Sequence, residues 1–124
     1  MLKTTSKEIE YKGKKYKIVF NLNVLEEIQN KYGSLDNWGA ILEPPASPET
    51  GEAVMPDIKE IINSFEIMLN EGIEISNDEN GTNDPPLTHK QVGRIVSDVG
   101  IDQVFETIQN VAVDSTKDTS AKNA

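Results

Sequence analysis

A chain of 124 residues is long enough for one domain with a hydrophobic core, and a hydrophobic content of 36% leaves part of it to loops and a tail. The lack of cysteine excludes a disulfide framework and thiol catalysis and fits a reducing cytoplasm; no apolar run approaches the ~18 residues of a membrane span, and the polar start MLKTTSKEIE is not expected to be a secretory leader. The net charge of −9 is uneven: residues 1–17 hold six Lys and two Glu, the rest six basic and nineteen acidic groups, so nucleic acid and anionic lipid are disfavoured over most of the surface.

Residues 1–6 read as frayed. Ile9, Tyr11, Tyr16, Ile18 and Phe20 then alternate with polar residues around Lys12-Gly13-Lys14, a β-hairpin signal. A two-residue turn at Lys12-Gly13 pairs Tyr11 with Lys14 and Ile9 with Tyr16. A turn one residue later pairs Tyr11 with Tyr16 and Ile9 with Ile18. Both registers keep the aromatic and β-branched residues on one face.

Asn21 or Asn23 caps a first helix, and Asn23 with Glu26 approximates a capping box. Leu25, Ile28 and Tyr32 follow at helical spacing, and Gly33 is a natural stop. A short second helix from Ser34 or Asp36 to Leu42 has Leu35, Trp38, Ile41 and Leu42 as its apolar side, with Pro44-Pro45 ending it. Residues 44–55 form a flexible polar linker. Ile58, Ile61, Ile62, Phe65, Met68 and Leu69 make the clearest helical stripe, over a third helix from about Pro56 to Glu71 with Gly72 closing it. A second flexible loop, 73–86, follows.

Thr88 and Gln91 make a capping box for a fourth helix, with Leu87 and Val92 as a hydrophobic staple, Val92, Ile95, Val96 and Val99 inward, and Gly100 at its end. Asp102 caps a fifth helix that buries Val104, Phe105, Ile108, Val111 and Ala112. From Asp114 no side chain is both apolar and larger than alanine, so 114–124 reads as a disordered tail beyond a single domain of residues 1–113. The expected fold class is mainly α (α+β), an N-terminal β-hairpin packed on four to five short helices.

Chemistry is harder to find. His89, the lone histidine, falls in a first helical turn and reads as solvated. Ser76, Asp78, Asn80 and Gly81 match part of a calcium loop, but position 1 is Ser76 and position 12 is Leu87, where carboxylates are needed. Glu26, Glu27, Asp57, Glu60 and Glu66 lie on the polar sides of amphipathic helices. Phosphate loops, zinc spacings and nucleophile elbows are missing from the sequence. Lys12, Lys14, Lys15 and Lys17, interleaved with Tyr11 and Tyr16, read as protection of a hairpin edge rather than a nucleic-acid ribbon. The expectation is a non-enzyme without catalytic residues, metal or cofactor.

Several motifs resemble one family. KEIEYKGKKYKIVFNLNVL leads into a helix ending Lys31-Tyr32-Gly33; another helix ends Leu69-Asn70-Glu71-Gly72; an acidic loop then precedes Leu87-Thr88 and Val92-Gly93-Arg94-Ile95. Over about 80 residues this is similar to the tail assembly chaperones of Gram-positive siphophages, in their short form. The insertion at 44–55 departs from the simplest family pattern. The resemblance implies a phage or prophage protein that binds the tape measure protein, keeps it soluble and helps recruit tail tube subunits. It implies action in the bacterial host cytoplasm during virion assembly and absence from the mature virion. Nucleic acid and membrane are not expected partners, and a homo-oligomer is compatible with the role. Candidate partner-binding residues are Trp38, Ile67, Met68 and Phe105; Ile67 lies off the main stripe, and Trp38 also suits a core role. An acidic adaptor, an antitoxin or a nucleic-acid-mimicking inhibitor is the alternative.

Overall fold

The computed structural model describes residues 4–43, 46–52, 54 and 56–123. Strands β1 (Thr5–Tyr11) and β2 (Lys14–Phe20) form an antiparallel hairpin. Lys12 and Gly13 stand at φ 52° and 78°, the left-handed pair that a two-residue hairpin turn demands. That turn selects the first register, with Tyr11 opposite Lys14 and Ile9 opposite Tyr16. Ile9, Ile18 and Phe20 enter the core from one face, while Tyr11 and Tyr16 are half-buried. Thr5 and Ser6 are not frayed. Thr5 pairs with Phe20 and its hydroxyl donates to the Val111 carbonyl at 2.7 Å, which ties the start of the hairpin to the last helix.

Helix α1 (Leu22–Tyr32) is capped by Asn21, whose side chain accepts from the Val24 N–H; Gly33 at φ 87° ends it. Asn23 lies inside the helix, and Val24 rather than Leu25 is the fully buried residue of the first turn. Helix α2 (Leu35–Leu42) is capped by Ser34 and buries Trp38 and Leu42. The Pro44-Pro45 stop lies outside the described residues.

Helix α3 (Ile58–Asn80) is the spine of the molecule and differs most from expectation. It starts after Asp57, whose side chain accepts from the Lys59 N–H, so Pro56 precedes it and Ile58 is exposed. It also runs straight through Gly72 and ends at Gly81 in the left-handed conformation, leaving a loop of residues 81–88 instead of 73–86. Glycine costs a helix only ~1 kcal/mol, and here the missing side chain has a purpose. A Cβ on Gly72 would lie 2.3 Å from the Lys17 carbonyl oxygen, so glycine is what lets β2 cross α3. The adjoining Glu71 is buried and accepts from the Asn21 and Asn23 side-chain amides at 2.6 and 2.9 Å, fastening the start of α1 to the same point.

Helix α4 (His89–Val99) carries the full Thr88–Gln91 capping box and buries Val92, Ile95 and Val96. Gly100 alone separates it from α5 (Ile101–Asn123), which buries Val104, Ile108 and Val111. The helix does not end at Asp114, and Ser115 is fully buried with its hydroxyl donating to the Ala112 carbonyl. Residues 114–123 contain neither glycine nor proline, the two residues that most strongly stop a helix already under way. Ile61, Phe65, Met68 and Leu69 of α3 meet the hairpin, α1, α2, α4 and α5 in one core.

Candidate functional site

The four residues singled out in the sequence are not brought together. Met68 is fully buried. Trp38 is 4% exposed; its indole N–H donates to the Ser64 hydroxyl at 2.9 Å, and its ring stands 6.1 Å from that of Phe20. Phe105 is half-buried against the core. Ile67 is likewise half-buried, on the floor of a surface trough. Core duty therefore accounts for Met68 and most of Trp38.

Two surface features remain. The first is an apolar groove of about 380 Å³ between α2 and α5, lined by Trp38, Leu42, Ile108, Ala112 and Val113 with Glu43 and Gln109 at its edge. Gln109 donates to the Glu43 carboxylate across the groove.

The second feature is a polar trough between α1 and α3. Three adjoining hollows compose it, sharing Glu27 and Ile67 at one junction and Lys31 and Asn63 at the other. It follows α3 from Lys59 to Asn77, about 27 Å at 1.5 Å per residue. At its lower end the loop of residues 81–88 lies along α3, held by two asparagines. The Asn77 side chain donates to the Asp84 carbonyl and accepts from the Asp84 N–H, both at 3.0 Å. The Asn70 side chain does the same to Leu87, at 3.1 and 2.8 Å. With Asn63 these form a heptad-spaced row that sequence reasoning missed. The spacing was there to be read, but asparagines on a helix surface carry no hydrophobic signal.

Glu60 accepts from the Tyr32 hydroxyl at 2.8 Å and from Asn63 at 3.2 Å. Burial, reinforced by that bond to Glu60, pushes the Tyr32 phenol up to about 12. Glu66 lies 3.2 Å from Nδ1 of the exposed His89. Ser76, Asp78 and Asn80 belong to α3, so they cannot curl round a cation as a calcium loop does; among the described residues no cluster of three metal-ligating side chains forms. Lys14 and Lys17 approach Asp84 and Glu79 at 3.8 and 3.7 Å, and Lys12 and Lys14 lie over the Tyr11 and Tyr16 rings. No described helix is long and apolar enough to cross a membrane. Comparison with protein-family models, with curated proteins and with solved structures finds no match to this chain.

Proposed function

We propose that this protein is a tail assembly chaperone of the siphophage type. It binds an apolar helical segment of the tape measure protein, keeps that partner soluble in the host cytoplasm, and helps recruit tail tube subunits, acting by binding alone. The motif resemblance supports the family. The observation that carries the binding mode is the groove between α2 and α5. Its apolar lining, with Ala112 and the exposed Val113 as the accessible part beside Trp38 and Leu42, suits an apolar side chain of an amphipathic partner helix. The net charge of −9 helps keep a complex with an apolar partner in solution.

Co-expression with the tape measure protein tests this. The wild-type chain should raise the partner's soluble yield and co-purify with it. Val113→Asp places a charge at an exposed position of the groove, 59% accessible, and should reduce co-purification at least about tenfold without unfolding the chaperone. A tape measure protein equally soluble alone, with no complex, overturns the assignment in favour of a general acidic adaptor.

A further inference from the structure

We propose that β1 is a docking edge: an extended segment of another protein, with Lys or Arg at alternate positions, adds to the hairpin as a third strand along Ser6, Glu8 and Glu10. This site lies apart from the α2–α5 groove and does not depend on the chaperone reading.

The hairpin geometry fixes which backbone groups are spare. Its two-residue turn makes Tyr11 and Lys14 a pair that exchanges both hydrogen bonds. The alternation of an antiparallel ladder then turns the N–H and C=O of Ile9, Lys7 and Thr5 toward β2, and those of Glu10, Glu8 and Ser6 away from it. The opposite strand has the matching parity. The carbonyl of Lys17, which pairs with Glu8, lies against Gly72 of α3. The outer edge of β2 is thus covered by a helix. On β1, among the described residues, no hydrogen bond reaches the outward groups of Ser6, Glu8 or Glu10. Buried backbone groups are paired almost without exception, so these are left to water.

The edge is also unblunted. Proteins close an open edge with proline, a bulge or a very short strand. β1 has seven residues, no proline, and an unbroken register from Thr5 to Tyr11. Its charges remain, and they act against a second copy. Each well-overlapped two-fold pairing of two β1 edges sets Lys7 opposite Lys7, Glu8 opposite Glu8, or Glu8 opposite Glu10. Like charges directly opposite each other are destabilising.

The side chains specify the occupant. Glu8 and Glu10 are exposed and share one face of the strand. Lys17 and Lys15 stand opposite them in the hairpin, but Lys17 reaches Glu79 instead, and neither carboxylate closes an ion pair among the described residues. Lys or Arg two residues apart on an incoming strand would stand opposite both, a favourable cross-strand arrangement. Between them Ile9 turns to the core, with the half-buried Tyr11 next on that face, so the intervening residue should be apolar. Main-chain hydrogen bonds supply the affinity of strand addition, and alternate side chains its selectivity.

The test is titration of the 15N-labelled full chain with the peptide acetyl-Thr-Val-Lys-Val-Lys-Val-Thr-amide, which presents the same pattern in either direction. The controls are its Glu-for-Lys counterpart and a version N-methylated along the backbone. The Lys peptide should bind saturably, shifting the Glu8 and Glu10 backbone amides and slowing their hydrogen exchange. The Lys7 and Ile9 amides, already in the ladder, should be protected with or without it. Both controls should bind at least about tenfold more weakly. Joint Glu8→Gln and Glu10→Gln substitution should bring the Lys and Glu peptides to nearly equal affinity; if that variant does not fold, the two control peptides make the same test on the wild-type chain. Equal binding of all three peptides to wild type, no saturable shift, or shifts confined to residues outside the hairpin overturns the proposal. A dimer in sedimentation whose formation protects the Glu8 and Glu10 amides overturns the choice of partner, because the occupant is then a second copy.

Discussion

The Tyr32 phenol is held neutral far into alkaline solution, mainly by burial and then by its bond to Glu60, and this has a consequence for stability. Its folded value of about 12 lies above the ordinary value of 10.0 that it regains on unfolding. A group whose folded pKa is raised contributes stability that is complete below the unfolded pKa and is lost as pH rises through the folded one. Unfolding free energy should therefore fall between pH 10 and 12, and Tyr32→Phe should flatten that part of the profile. Chemical denaturation of both chains across this window checks the expectation, and parallel profiles would refute it. Single residues were only partly legible in the sequence. The capping box of Thr88 and Gln91 depends on neighbours three apart, so it could be read directly. The buried Glu71 could not, because its partners Asn21 and Asn23 lie about fifty residues away.

At the scale of elements, periodicity identified the hairpin and all five helices, because each buries an apolar face. It failed where a residue with a strong local meaning serves a tertiary one. Gly72 has the character of a helix stop, yet it sits inside α3 to admit the β2 backbone. Asp114 has the character of a tail, yet the helix that contains it buries Ser115 one residue on. Gly72→Ala separates propensity from packing. Alanine favours a helix by ~1 kcal/mol, but its Cβ would meet the Lys17 carbonyl at 2.3 Å, against backbone that cannot swing aside as a side chain would. Overpacking of this kind costs about 1–3 kcal/mol. Steric conflict should win, so the variant should unfold at lower denaturant than wild type. A stabilised variant would show that β2 does not cross α3 at this point. The asparagine row belongs to the same scale, since only the packed loop of residues 81–88 reveals what the heptad spacing holds.

Across the whole molecule, the basic start of the chain folds onto an acidic body. Lys14 and Lys17 of the hairpin reach Asp84 and Glu79, near the end of α3. These contacts are long and their side chains are 40–60% exposed, and pairs of that kind contribute roughly 0–1 kcal/mol each. Against them stands a net charge of −9, which combines +4 over residues 1–17 with −13 over the rest of the chain, and that acidic remainder repels itself in the folded state. Salt weakens both effects, since the Debye length shrinks from ~30 Å at 0.01 M to ~8 Å at 0.15 M. Repulsion acts among many charges over that longer range, whereas the attraction between the hairpin and the end of α3 rests on these two exposed pairs. Self-repulsion should dominate, so the thermal midpoint should rise when sodium chloride is raised from about 0.01 M to about 0.15 M. Lys17→Ala should leave the size of this rise nearly unchanged, because the Glu79 contact it removes is weak. A midpoint that falls with salt, with the fall abolished by Lys17→Ala, would mean that the hairpin is held down electrostatically. The apolar seam of Ile9, Ile18 and Phe20 would then be the lesser part of its attachment.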